Sequence, residues 1–208
     1  MKLYLTSYRV PTPGDLVELV GKPPVETRVV IIPNAKDYEL PQDRGFKLDE
    51  LTSDLQKMGF LQPDTVDLRE FDDGEQVYEA LKSYDLLWVA GGNSFVLRSE
   101  MHRSGFDKVI RRLLDEGQVY GGESAGAIVA GLSLQGFEVG DDPELADQII
   151  WEGLGLTDRI IAPHADSPNF IEYVNHMKKL YKDNDRVMYL KDTQVLVVDG
   201  NNVRIVAS

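Results

Sequence analysis

No cysteine occurs among the 208 residues. That excludes disulfides, thiolate metal sites and a cysteine nucleophile in one step, and it fits a reducing compartment. Positive charge is scarce: 22 Lys and Arg stand against 35 Asp and Glu, a formal net charge of -13. A duplex-binding surface needs a cationic footprint to displace counterions, and an anionic membrane surface would repel this chain. Lys178, Lys179 and Lys182 form the nearest thing to a basic cluster, and three lysines on one helix read as a solvated face. No run approaches the roughly 20 apolar residues that cross a bilayer. The start, Met1-Lys2-Leu3-Tyr4-Leu5-Thr6-Ser7, is too short and too polar for a signal peptide. The expectation is a cytoplasmic protein with no nucleic-acid or membrane partner.

Repeats and low-complexity tracts are also missing. What is present is a regular alternation of short apolar runs with amphipathic stretches, enough for one α/β domain over residues 1–208. Strands are expected at 3–7, 27–33, 65–68, 85–90, 118–122, 187–190, 195–198 and 203–206, the last two joined by the turn Asp199-Gly200-Asn201-Asn202. Helices are expected at 46–58, closed by Gly59, and at 74–83, 94–103, 106–116, 124–132 and 167–181. The last opens on Ser167-Pro168 as N-cap and first-turn proline. The segments 8–26 and 133–159 read as long loops. This order predicts an α/β fold, a three-layer α/β/α sandwich on a mostly parallel central sheet of flavodoxin-like kind. In such folds sites gather beyond the carboxyl ends of the strands. Gly91-Gly92-Asn93, Gly122-Glu123-Ser124 and Pro163-His164 all stand at strand ends.

Gly122-Glu123-Ser124-Ala125-Gly126 matches G-x-S-x-G in a strand-turn-helix context. In a nucleophile elbow the serine sits on a strained turn whose crowded backbone demands small neighbours, and its hydroxyl projects at a helix N-terminus. The plain alternative is a tight βα turn with a serine N-cap. A serine hydroxyl needs a base, and the chain has three histidines. His176 falls on a helix surface and His102 at a helix C-terminus, where a capping role is natural. His164 alone follows a strand end. The imidazole in turn needs an orienting carboxylate. Asp192 follows the strand ending at Leu190; Asp166, Asp141 and Asp142 compete with it. Gly91-Gly92-Asn93 offers a second N–H for an oxyanion hole beside that of Ala125, or a βα turn capped by Asn93.

With these residues in view, Gly91-Gly92-Asn93-Ser94-Phe95 resembles the GGNTF segment, and Gly122 through Ala127 the GxSAGA segment, of the peptidase E family of serine peptidases. That family includes aspartyl dipeptidase and is similar to cyanophycinase. Pro163-His164 and Leu190-Lys191-Asp192 also fall where its motifs do, so the resemblance covers roughly residues 85–199. It implies a class I glutamine-amidotransferase-like fold and a serine-type peptidase acting on short peptides. Carried over, Ser124 is the nucleophile, His164 its base and Asp192 the acidic third member. Gly92 and Ala125 supply oxyanion N–H groups, and Asn93 and Glu123 are substrate-contact candidates. The implied partner is a small peptide bound by a monomer or homodimer, with no metal or cofactor. Aspartyl dipeptidase carries tryptophan before its serine, where this chain has Glu123. It also carries an arginine soon after its histidine, where this chain has none between His164 and Arg186. Lysine at 178 or 179 lacks the forked geometry of that arginine. A carboxylate from Glu123 or from residues 141–147 would instead favour a free amino terminus. The same site would also serve an esterase or a cyanophycinase-like isopeptidase, and a catalytically inactive binding module is the non-enzymatic alternative. Glutamine amidotransfer is disfavoured, because it uses cysteine at this elbow and the chain has none.

Overall fold

The computed structural model describes residues 1–208. Its strands are β1 (Lys2–Thr6), β2 (Val29–Ile32), β3 (Asp64–Thr65), β4 (Leu86–Val89), β5 (Val119–Glu123), β6 (Ile160–Ala162), β7 (Val187–Tyr189), β8 (Gln194–Asp199) and β9 (Asn202–Ala207). The helices are α1 (Pro13–Val20), α2 (Pro41–Lys57), α3 (Gly74–Leu81), α4 (Ser94–Arg103), α5 (Phe106–Asp115), α6 (Ala125–Ala130) and α7 (Ile171–Leu180). Seven strands form the main sheet in the order β3-β2-β4-β5-β1-β8-β9. The first five run parallel, and β8 and β9 close one edge as an antiparallel hairpin.

The period-2 alternation of the strands sorts side chains onto two faces. Tyr4, Ile31, Leu86, Trp88 and Val197 point to one face and pack with Leu16 and Leu19 of α1 and Leu55 of α2. Leu3, Leu5, Val30, Leu87, Val89 and Leu196 point to the other, where α3 to α7 lie over them through Val77, Leu97, Phe106, Ile128 and Val174. This is the expected three-layer α/β/α sandwich with a mostly parallel sheet. No helix is long and apolar enough to cross a membrane.

Four expectations are corrected. Residues 8–26 are not all loop: α1 occupies Pro13–Val20, and Pro13 sits in its first turn, where a missing N–H costs nothing. The strand at 65–68 is cut to Asp64–Thr65, because Asp67 accepts from Arg69 N–H and starts a 3-10 turn over Leu68–Glu70. Ser167 makes no side-chain cap bond; a 3-10 turn at Pro168–Phe170 comes first, and α7 begins at Ile171. The run at 187–190 does not join the main sheet. It pairs in parallel with β6 in a separate two-stranded sheet.

That separate sheet positions the site. Parallel pairing brings the carboxyl ends of β6 and β7 out side by side. Leu190 N–H donates to Ala162 O, and Ala165 N–H donates to Leu190 O, both at 2.9 Å. His164 and Asp192 leave the pair at the same end. The segment 133–159 is pinned to the body over much of its length. Ser133 bridges Glu152, Leu134 N–H donates to Trp151 O, and Leu154 N–H donates to Val129 O.

Candidate active site

Thr6 and Glu123 are register partners in the parallel pair β1 and β5, so Ser7 and Ser124 emerge together at the carboxyl edge. Ser124 has φ 49° and ψ -107°, outside the helical region, and α6 begins at the next residue. A non-glycine residue at positive φ is strained and persists only where its surroundings dictate it. The two glycines of the elbow provide that setting. A Cβ on Gly126 would stand 2.3 Å from Val89 O, and one on Gly122 would stand 2.6 Å from Gly126 O. Tyr120, buried beneath them, donates from its hydroxyl to Gly126 O at 2.7 Å.

The structure brings Ser124, His164 and Asp192 together. Asp192 Oδ1 lies 2.7 Å from His164 Nδ1. A carboxylate only accepts, so Nδ1 carries the hydrogen and Nε2 presents its lone pair. Ser124 Oγ–H donates to that Nε2 at 3.0 Å. His164 itself has φ 59°, a second strained non-glycine residue, and its ring stacks on Phe170 with centroids 4.3 Å apart and planes 14° apart.

The competing carboxylates take other partners. Asp166 Oδ1 accepts Asp192 N–H at 3.0 Å. Asp141 Oδ2 accepts Ser94 N–H, and Asp142 Oδ1 accepts Glu144 N–H. His102 faces the Asp107 side chain through Nδ1 at 2.9 Å rather than capping its helix with the ring, and His176 is half-buried on α7 instead of on its surface, its covered Nε2 3.8 Å from Glu138.

Ser7 joins the group, although no motif marks it. Its hydroxyl donates to Asp192 Oδ1 at 2.8 Å and accepts His164 N–H at 2.6 Å. Phe170, stacked on the His164 ring, likewise belongs to no motif. The one sequence signal for Ser7 is a serine just past the carboxyl end of β1, which needs the sheet order to acquire meaning.

Gly92 has φ 148°, and a Cβ there would stand 2.2 Å from Ala35 O. Its N–H donates to no group of the protein. The Ala125 N–H belongs to the first turn of α6, where N–H groups lack intrahelical acceptors. A Cβ on Gly91 would lie 3.1 Å from Ser124 Cβ, so the Gly91-Gly92 turn abuts the elbow. Asn93 is occupied otherwise: its Oδ1 accepts Phe95 and Val96 N–H groups as the cap of α4, and its Nδ2 donates to Asp142 O. It braces the turn and leaves little for a ligand.

Two recesses flank Ser124. One, of about 20 Å³, lies between Ser124, His164, Phe170, Asp141 and Tyr173. The other, of about 240 Å³, lies beyond Glu123 and is lined by Arg9, Lys36, Lys47, Glu50 and Asp54. Burial pushes the carboxyl groups of both Glu123 and Asp141 above their ordinary range, against the pull of Lys36 and Arg9 on the former and of the Ser94 contacts on the latter.

A profile of peptidase family S51 matches residues 7–206. The uncharacterized peptidase Lmo0363 of Listeria monocytogenes is 26% identical over 176 residues, 84% of this chain and 83% of that protein. The uncharacterized peptidase Lin0382 of Listeria innocua is 28% identical over 136 residues, which are 61% of this chain and 65% of its own length, just under two thirds. A solved structure from Listeria monocytogenes EGD-e that carries the provisional name peptidase E superposes with a TM-score of 0.85 at 24% identity, covering 100% of this chain and 98% of that one. At that identity the likeness speaks for the fold.

Proposed function

This chain belongs to peptidase family S51, and we propose that it hydrolyses short peptides through an acyl-enzyme on Ser124. The observation that carries this is the unbroken relay from Ser124 Oγ to His164 Nε2 at 3.0 Å and from His164 Nδ1 to Asp192 Oδ1 at 2.7 Å, seated on a strained elbow. A hydroxyl so placed has its base within hydrogen-bond reach, and the base has its orienting carboxylate.

Ser124 Oγ attacks the scissile carbonyl carbon as its proton passes to His164 Nε2. The oxyanion is received by the Gly92 and Ala125 N–H groups. His164 then gives the proton to the departing amine. In the second half a water attacks the acyl carbon as His164 Nε2 accepts its proton, the ester bond to Ser124 Oγ breaks, His164 returns that proton to Oγ, and the acyl group leaves as a carboxylic acid. Asp192 keeps the Nδ1–H tautomer and stabilises the imidazolium in both halves.

The larger recess carries three cations and three carboxylates, so it offers no net positive charge to an aspartate side chain. With no arginine between His164 and Arg186, a dipeptidase-like activity not restricted to Asp-X is the reading these residues favour. Labelling by a fluorophosphonate tests the nucleophile: the wild-type chain takes the label and Ser124→Ala does not. Equal labelling of the two sinks the assignment. A panel of dipeptides, N-acetylated dipeptides and esters then tests the substrate class, and strict dependence on an amino-terminal aspartate would overturn the specificity reading.

A further inference from the structure

Gly91 and Gly92 share one peptide unit, and no peptide bond in the chain is cis. In a planar trans peptide the C=O and the N–H point in opposite directions. The C=O end is taken: Lys36 Nζ donates to Gly91 O at 2.5 Å. The N–H end, on Gly92, has no acceptor in the protein. Lys36 ends a short turn over Asn34–Lys36, and its neighbour Ala35 accepts Asn93 N–H at 2.8 Å. One three-residue turn therefore grips the Gly91-Gly92-Asn93 segment at both ends. Its first residue is itself anchored, since Asn34 Nδ2 donates to Asp37 and Asp67 and its Oδ1 accepts Leu68 N–H.

We infer that Lys36 is a positioning residue for hydrolysis: by holding Gly91 O it aims the Gly92 N–H at the oxyanion formed on attack by Ser124 and strengthens that N–H as a donor. The inference rests on the reading of Gly92 as an oxyanion donor. Its physical basis is twofold. Fixing one end of a rigid peptide fixes the other, so the N–H is aligned before the charge develops. A charged donor on the carbonyl also polarises the whole unit, as in any hydrogen-bonded chain inside a low-dielectric site.

The surroundings make the charge on Lys36 sensitive to pH. Burial draws its ammonium below the ordinary lysine range, while Glu39 on its own segment and Glu123 on β5 oppose that, and Lys47 on α2 adds to it. Arg9, Glu50 and Asp54 line the same recess. Above its pKa the neutral amine still reaches Gly91 O, but with a weaker bond, and the rate of attack falls on the alkaline side.

The test is the rate of fluorophosphonate labelling of Ser124 against probe concentration and pH, in wild type, Lys36→Met and Lys36→Arg. Removal of an oxyanion donor costs about 10²–10³ in rate, so loss of its alignment is expected to cost roughly ten-fold or more in the limiting rate of Lys36→Met. Its half-saturating probe concentration stays within about two-fold, because the oxyanion contact belongs to the transition state. Lys36→Arg keeps a charged donor, retains most of the limiting rate and loses the alkaline decline, since guanidinium does not titrate in that range. An unchanged limiting rate in Lys36→Met overturns the inference, and so does an alkaline decline that persists in Lys36→Arg. The second result stands even if the methionine variant does not fold. Failure of wild type to label at Ser124 is a different outcome, and it removes the serine-peptidase reading itself.

Discussion

The backbone N–H of His164 donates to the side-chain hydroxyl of Ser7 at 2.6 Å, across 157 positions of chain. Both residues are buried. The same hydroxyl donates to Asp192 Oδ1 at 2.8 Å. Ser7 thus holds both His164, the proposed base, and Asp192, the proposed acid, from the end of the interior strand β1.

Ser7→Ala leaves a buried N–H without an acceptor and removes one of the donors on Asp192. The expected cost is about 1–3 kcal/mol of stability. The labelling rate at Ser124 should fall by roughly ten-fold as His164 loses its anchor. Thermal melting and labelling kinetics of Ser7→Ala beside Ser7→Thr check this. A threonine variant as impaired as alanine would show that the hydroxyl is not what matters.

Asp192→Asn keeps the shape and removes the charge that selects the Nδ1–H tautomer. Labelling should drop by about 10³–10⁴ if the carboxylate plays the part seen in serine triads. Asp166→Ala removes only an acceptor for Asp192 N–H and should cost far less. Equal losses from the two would mean that the loop as a whole, rather than the Asp192 carboxylate, governs His164.

Glu123 gives a pH dependence of stability whose sign is fixed. Burial raises its pKa in the folded state, with Arg9 and Lys36 opposing. The folded chain then holds the proton more tightly than the unfolded chain, so stability falls as pH rises from the ordinary glutamate pKa through the folded one. Glu123→Gln removes that penalty. The variant should melt higher than wild type at neutral pH, with the difference vanishing below the ordinary glutamate range, where both states are protonated. A melting difference that is flat from pH 4 to pH 8, or one that widens toward acid, refutes the sign.

Gly126→Ala tests the seat of the elbow. The added Cβ falls 2.3 Å from Val89 O, backbone against backbone. Val89 cannot yield without breaking the ladder between β4 and β5, and Gly126 in the first turn of α6 is held by the Tyr120 hydroxyl. The variant should lose several kcal/mol, roughly 2 to 5, as an overpacked site with no room to relax does. Chemical denaturation of a folded, wild-type-like Gly126→Ala would dispose of this account.

Local patterning carries far in this chain, and its limits are instructive. Leu3, Leu5 and Tyr4 alternate as a strand covered on both faces must, and Gly122 and Gly126 announce the elbow because nothing larger fits there. Helix α1 escapes such a reading, since Pro11 and Pro13 look like loop residues until one sees that Pro13 starts a helix. The pairing of β6 with β7 is equally hidden, because three-residue strands have no preference for one sheet over another. His164 and Asp192 are legible as residues that follow strands. Ser7, Phe170 and Lys36 are not, since their partners lie far away in sequence and only the assembled sheet edges bring them near.

The two-stranded sheet of β6 and β7 stands apart from the seven strands that carry Ser124. Ser124 and His164 therefore stand on two separate sheets, joined by the Ser7 hydroxyl, by Leu132 N–H donating to Arg159 O at 2.9 Å and by packing. Small, weakly cross-linked units open at a lower free energy than the body of a domain. On the proposed mechanism, catalytic competence follows the closure of this seam rather than the integrity of the whole chain. On warming, loss of labelling should precede loss of secondary structure, and it should be regained on cooling until the larger sheet itself gives way.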